Sequence, residues 1–147
     1  MRLLRGETYA NMIYDIEITE FAPDARTSRA VVNTAEEAWA AARAAEALDA
    51  CMLLVTRHEE TVNWGDFYIW LAGGRASVRL DEHRDWYATD PEAMPVGDAA
   101  AETELEFGDE FGPFFKPRSK TVSRAQAFEA LEYYLRTREM LPSLTWT

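Results

Sequence analysis

Residues 67–80 read FYIWLAGGRASVRL. Two apolar runs, Phe67-Tyr68-Ile69-Trp70-Leu71 and Ala76-Ser77-Val78-Arg79-Leu80, flank the pair Gly73-Gly74. The tight turns of hairpins need positive φ, which glycine takes at no steric cost, so this stretch predicts an antiparallel hairpin. Upstream, Cys51 to Thr56 is apolar on both faces, as a central strand is. Further back, Met12, Tyr14, Ile16 and Ile18 alternate with Asp15, Glu17 and Thr19, which predicts a half-buried strand from Met12 to Phe21. A turn at Pro23-Asp24 and a short strand at Val31-Val32 follow. Downstream, Trp86-Tyr87-Ala88-Thr89 continues the meander, Pro91 to Ala101 reads as a loop, and Glu104-Leu105-Glu106-Phe107 alternates as a short strand with an acidic outer face. Gly108, Gly112, Pro113 and Pro117 break up the chain after it.

Two helices complete the pattern. Thr34-Ala35-Glu36-Glu37 is a capping box, in which hydroxyl and carboxylate satisfy amides at the helix start. The helix it opens is expected to reach about Leu48, with Ala35, Ala38, Trp39, Ala42 and Ala45 on one face. Ser123-Arg124-Ala125-Gln126 opens a second helix to about Glu139, with Ala127, Phe128, Leu131, Tyr134 and Leu135 inward. Pro142 stops it, and Leu144-Thr145-Trp146 reads as a closing strand. Trp39, Phe128 and Trp146 are expected in the core. The whole predicts one α+β domain over residues 1–147: a mostly antiparallel, curved sheet of five to seven strands with two helices packed on it. Residues 1–11 are read as a disordered arm.

Charge is distributed unevenly. Asp81 to Glu110 holds eleven carboxylates and one arginine, a formal −10 out of −11 for the chain. Such a surface repels nucleic acid and attracts a basic partner. Trp86, Tyr87, Phe107, Phe111, Phe114 and Phe115 lie inside or beside it. Acid mixed with large rings is the composition of a protein-binding face, and rings are costly to leave in water, which weighs against a merely solvated loop. Lys116, Arg118, Lys120 and Arg124 follow directly and are placed to fold back on the acids as surface ion pairs, each worth little.

Signals for chemistry are weak. His58, His83 and Cys51 show no metal-ligand spacing, and His58-Glu59-Glu60 lacks the second histidine of a zinc helix. His83 reads as a surface residue among charges. There is no Gly-x-Ser-x-Gly elbow, and Gly73-Gly74 opens no helix that would cradle phosphate. The single cysteine, Cys51, excludes an internal disulfide, and its apolar run predicts a buried, inert thiol. Near the start, Leu3-Leu4 is too short for a signal peptide, and no window approaches the ~20 apolar residues of a membrane span, so a cytoplasmic protein is expected. No enzymatic activity, cofactor or metal is expected.

Several local patterns resemble one family of bacterial immunity proteins. Val122-Ser123-Arg124-Ala125-Gln126-Ala127 opening a helix, Leu131 and Tyr134-Leu135 along it, then Pro142, Leu144 and Trp146, are similar to the family's C-terminal part. Leu53-Leu54-Val55 leading to Trp64-Gly65, then Gly73-Gly74-Arg75-Ala76 to Val78, is similar to its middle. The resemblance runs from roughly Val31 to Trp146, and neither Met1–Pro23 nor the acidic segment 98–110 takes part in it. It implies a cytoplasmic antidote encoded beside a polymorphic toxin, often of deaminase type, that occludes the toxin's active site without chemistry. A cleft built for nucleic acid is basic, so carboxylates suit it. The expected partner is therefore a cognate toxin domain, with no nucleic acid or membrane, and the chain itself is a monomer or weak homodimer. Expected toxin-binding residues are Asp81, Glu82, Asp85, Glu104, Glu106, Asp109 and Glu110, with Trp86 and Phe111 as anchors and Trp64, in an expected loop, beside them. Two alternatives stay open: a small-molecule-binding or enzymatic domain with a carboxylate-lined pocket, and a nucleic-acid mimic that inhibits another enzyme.

Overall fold

The computed structural model describes residues 12–59, 62–90, 92 and 99–147. The arm expected over residues 1–11 and most of the loop expected from Pro91 lie outside the described residues. The strands are β1 (Met12–Glu20), β2 (Arg26–Val32), β3 (Ala50–Glu59), β4 (Val62–Ala72), β5 (Arg75–Glu82), β6 (Arg84–Thr89), β7 (Glu104–Phe107), β8 (Phe114–Pro117), β9 (Val122–Ser123) and β10 (Thr145–Trp146). The helices are α1 (Ala35–Ala42) and α2 (Arg124–Thr137). The α+β architecture is the expected one: two helices on an antiparallel sheet. That sheet runs β10-β6-β5-β4-β3-β1-β2, with β9 pairing the other half of β5, and β7-β8 is a separate hairpin. It has eight strands: the closing strand expected at Leu144-Thr145-Trp146 forms as β10, and the two-residue ladder β9 is added at Val122–Ser123.

Alternation decides which side each residue faces. Phe67, Ile69 and Leu71 of β4 and Leu53 and Val55 of β3 turn toward the helices, where Phe128, Leu131 and Tyr134 of α2 meet them. Phe67 lies 5.3 Å from the Tyr134 ring and 6.5 Å from Trp146. Ala38, Ala42 and Ala45 are fully buried, so α1 approaches the sheet closely. Between the β4 and β5 runs, Ala72 pairs with Arg75 across the two glycines, and only Gly73 takes a positive φ, +58°.

Both helix starts carry the anticipated caps. Thr34 Oγ1 accepts from the Glu37 amide at 3.1 Å and donates to the Glu37 carboxylate at 3.0 Å. At α2 the box is complete: Ser123 Oγ accepts from the Gln126 amide, and Gln126 accepts from the Ser123 amide. The α-helical geometry of α1 ends at Ala42, and a 3-10 turn continues over Arg43–Ala47.

Three expectations need correction. Trp39 is half-buried, edge-on to Phe128 at 6.4 Å with the Arg43 guanidinium over its ring, so it borders the core. Trp146 is likewise half-buried at the margin of the core, and its Nε1 donates to the Leu141 carbonyl at 3.0 Å. The second strand is not the short piece Val31-Val32 but seven residues, paired from Tyr14–Val32 to Glu20–Arg26; the polar run RTSRA conceals an edge strand that is mostly exposed. Phe128, by contrast, is buried as expected.

Phe67→Ala is expected to cost about 3–5 kcal/mol through the cavity it leaves. Trp39→Ala, at the border, should cost only about 1–2 kcal/mol of apolar burial. Urea unfolding of both variants checks the order, and equal losses would contradict it.

Candidate functional site

The sheet has a second buried face, and the acidic segment makes it. Tyr68, Trp70 and Ala72 of β4 and Met52 of β3 point away from the helices, and the hairpin β7-β8 folds over them with Phe107 and Phe114. Trp70 meets Phe114 edge-on at 5.3 Å, and Phe107 stacks on Phe114 at 5.4 Å. The hairpin's register pairs Leu105 with Lys116 and Phe107 with Phe114 on the inner side. The outer side therefore carries Glu104 and Glu106, with Phe115 opposite Glu106. In the connecting turn, Asp109 accepts from Trp70 Nε1 at 2.9 Å and from the Phe111 amide at 3.3 Å. Phe111 is thrown outward, 91% exposed, and Phe115 is 58% exposed. Glu104, Glu106 and Glu110 are exposed around them.

The other expected site residues lie away from the hairpin and are divided between the two faces of the sheet. Asp81 pairs in register with Asp66 on β4 and with Asp85 on β6. Arg79 donates to Asp81 Oδ2 at 3.0 Å, and Arg79 Nε lies 2.8 Å from Asp81 Oδ1 but off the hydrogen-bonding line. Burial and the facing Asp85 nevertheless push the Asp81 carboxyl above its ordinary range. Glu82 turns to the helix side, where its Oε2 accepts from the Tyr134 hydroxyl at 2.8 Å and from Arg57 at 3.3 Å. Arg57 is 6% exposed, and burial holds the Tyr134 phenol well above its usual pKa. Gly65 makes this contact possible: a Cβ there would stand 2.4 Å from the Tyr134 oxygen. Trp86 is half-buried against the helix-side core, with the Arg84 guanidinium 3.9 Å from its ring centre. Trp64 is in β4 and not in a loop; it is the extra residue where pairing shifts from Arg57–Gly65 to His58–Asn63, and it is 46% exposed. His83 caps the β5-β6 turn with φ +67° and is exposed, as expected.

The predicted site thus divides. Glu104, Glu106, Glu110 and Phe111 form one exposed group on the hairpin. Asp81, Glu82 and Asp109 are spent on Arg79, Arg57 with Tyr134, and Trp70. Asp85 is exposed beside Asp81, and Trp86 contributes to packing. The basic cluster does not fold back on the acids: among the described residues no ion pair involves Lys116, Arg118, Lys120 or Arg124. Arg124 instead donates to the carbonyls of Glu46, Leu48, Asp49 and Gly73, tying the start of α2 to the β4-β5 turn and the end of the first helical segment. Lys116 points inward and donates to Ser77 Oγ at 2.8 Å. Cys51 is buried, which pushes its thiol up to about 11. No group of three or more histidine, cysteine or carboxylate residues among those described is placed to hold a metal ion. No helix among the described residues is long and apolar enough to cross a membrane.

Comparison with family models finds no match, and comparison with curated proteins finds none either.

Glu82→Ala removes the carboxylate facing buried Arg57. The loss should be about 2–3 kcal/mol, below the ~3–5 of a fully buried pair because the Glu82 side chain is 27% exposed. Glu104→Ala and Glu106→Ala, both exposed, should each stay within about 0.5 kcal/mol. Chemical denaturation distinguishes them. Since burial disfavours the thiolate, native Cys51 should be inert to a thiol reagent at pH 8 and react only on unfolding.

Proposed function

We propose that this chain is an inhibitory binding protein of the immunity type, which docks the outer face of its β7-β8 hairpin on the basic, nucleic-acid-accepting cleft of a toxin domain. The observation that carries the reading is Phe111, 91% exposed at the tip of a hairpin whose outer face bears Glu104, Glu106, Glu110 and Phe115. An apolar ring held out in water by a fixed turn, within a rim of like charge, has the anatomy of a docking anchor. The acids supply long-range attraction, which raises association rates by roughly 10–10³. The ring supplies the short-range contact that slows release. The resemblance to immunity proteins and the charge of the chain point to the same occupant, a protein cleft built for polyanions.

The site is narrower than the expected list. Asp81 and Glu82 are consumed by internal arginines and serve the fold. Of the alternatives, a carboxylate-lined pocket has less to support it: the cavity beside the hairpin turn sets Arg79 and Lys116 against Asp109 and Glu110, and in the groove lined by Asp66, Asp81 and Glu82 the last two are engaged by Arg79 and Arg57. Inhibition of some other nucleic-acid enzyme would use the same hairpin, and no separate feature favours it.

The test pairs the protein with its cognate deaminase- or nuclease-type toxin domain. The triple variant Glu104→Lys, Glu106→Lys, Glu110→Lys should cut the association rate at least tenfold at low salt, with the difference shrinking as salt rises. Phe111→Ser should leave association nearly unchanged and speed dissociation by about 30-fold or more, the mark of an anchor worth ~2 kcal/mol. Stopped-flow or surface-plasmon measurements read both. Unchanged rates in correctly folded variants would overturn the proposal.

A further inference from the structure

The second face of the sheet carries basic and aromatic groups that the docking surface does not use. Tyr68 and Trp70 stack with centroids 5.0 Å apart and planes 3° from parallel. The Arg79 guanidinium lies over both, 4.3 Å from the first ring centre and 5.4 Å from the second. Lys116 reaches in from β8, its ammonium 4.4 Å from the Tyr87 ring centre. Between these groups, beneath Phe114 and the turn bearing Asp109 and Glu110, is a cavity of about 230 Å³.

Its charge is unbalanced in an informative way. Arg79 already has a carboxylate, Asp81. Lys116 has none: of its three N–H donors one goes to Ser77, and no ion pair among the described residues reaches it. Two carboxylates of the hairpin turn also line the cavity: half-buried Asp109 has its two oxygens committed to Trp70 and the Phe111 amide, and Glu110 is exposed to solvent and forms no ion pair with Lys116. Burial, then Arg79 and Lys120, push the Lys116 ammonium down to about 8. An ammonium without a counterion is costly to bury and is retained where something compensates it.

We propose that this cavity binds a compact organic anion. Its carboxylate or phosphate would meet Lys116 and Arg79, and its flat apolar body would lie against Trp70 and Phe114. The volume falls below the ~300–1,000 Å³ of sites for drug-sized ligands, so the occupant carries about one ring. The cavity shares Glu110 and Phe111 with the docking face, but the inference rests on Lys116, Arg79 and Trp70, which the docking face does not use.

Binding should depend on pH through Lys116. An anion favours the ammonium, so affinity is full below about 8 and falls as pH rises beyond it. The charged and titratable groups around Lys116 are Tyr68 on β4, Arg79 on β5, Tyr87 on β6, Lys120 in the turn after β8, and Asp109 and Glu110 in the hairpin turn.

Calorimetric titration of the full chain with benzoate, phenyl phosphate and neutral benzyl alcohol tests this. At least one of the two anions should bind at least tenfold more tightly than benzyl alcohol at pH 6.5 and weaken several-fold at pH 9.5. Lys116→Met should remove the preference for the anion and its pH dependence, and Lys116→Arg should restore the preference without the pH dependence below 10. Lack of binding by both anions, equal binding of the alcohol, or undiminished binding by folded Lys116→Met would overturn the proposal. If Lys116→Met does not fold, the native protein decides: equal affinity at pH 6.5 and 9.5 refutes it.

Discussion

The structure depends on β3 and β4 being buried on both faces. Phe67, Ile69 and Leu71 need the helices, while Trp70 on the opposite side needs a cover of its own. A one-sided sheet would leave Trp70 and Met52 in water, at a cost of about 2–3 kcal/mol for each large side chain. The chain supplies the cover from its acidic segment. Phe107 and Phe114 enter the second cluster, and Asp109 caps the Trp70 indole at 2.9 Å. Glu104 and Glu106 are therefore held on a β-ladder whose inner side is anchored.

That anchoring sorts the carboxylates by work. Those whose backbone position turns them toward the sheet acquire partners: Asp81 takes Arg79, Glu82 takes Arg57 and Tyr134, and Asp109 takes the indole. Glu104 and Glu106, on the outward positions of β7, acquire none from the fold. Strand alternation, with a period of two residues, sets Glu104 and Glu106 outward while Leu105 and Phe107 face the sheet. Net charge alone does not reveal it, because a carboxylate that neutralises a buried arginine counts the same in a formal sum as one free in solvent.

Much of this architecture was legible in sequence. The Gly73-Gly74 hairpin, the alternating β1, the two capped helices and the outward acids of β7 all follow from local rules that the tertiary structure respects. What sequence concealed was non-local. The strand β8 carries Pro117 and follows Gly112-Pro113, so local signals argue against it; it forms because Phe114 has Trp70 and Phe107 to pack on. Lys116 and Arg124 read as surface charge, and only their distant partners, Ser77 and four carbonyls, reveal an inward and a tying role. Phe115 was visible as a ring but not as an exposed one, since that follows from its pairing with Glu106. Trp39 and Trp146 were placed too deep because periodicity gives a direction and not a depth.

The two proposed sites sit on opposite sides of one thin element. The outer side of the β7-β8 hairpin is acidic and suits a basic protein; its inner side delivers Lys116 to a cavity already holding Arg79. These potentials would largely cancel if the groups were free in solvent at the same spacing. They stay distinct because Asp81 and Asp109 are engaged in specific contacts, while Lys116 is held on the inner side by Ser77. An anion in the cavity would neutralise Lys116 and leave the hairpin's outer charge unopposed. Its electrostatic effect on docking should therefore be favourable, with the turn that carries Asp109, Glu110 and Phe111 contributing residues to both.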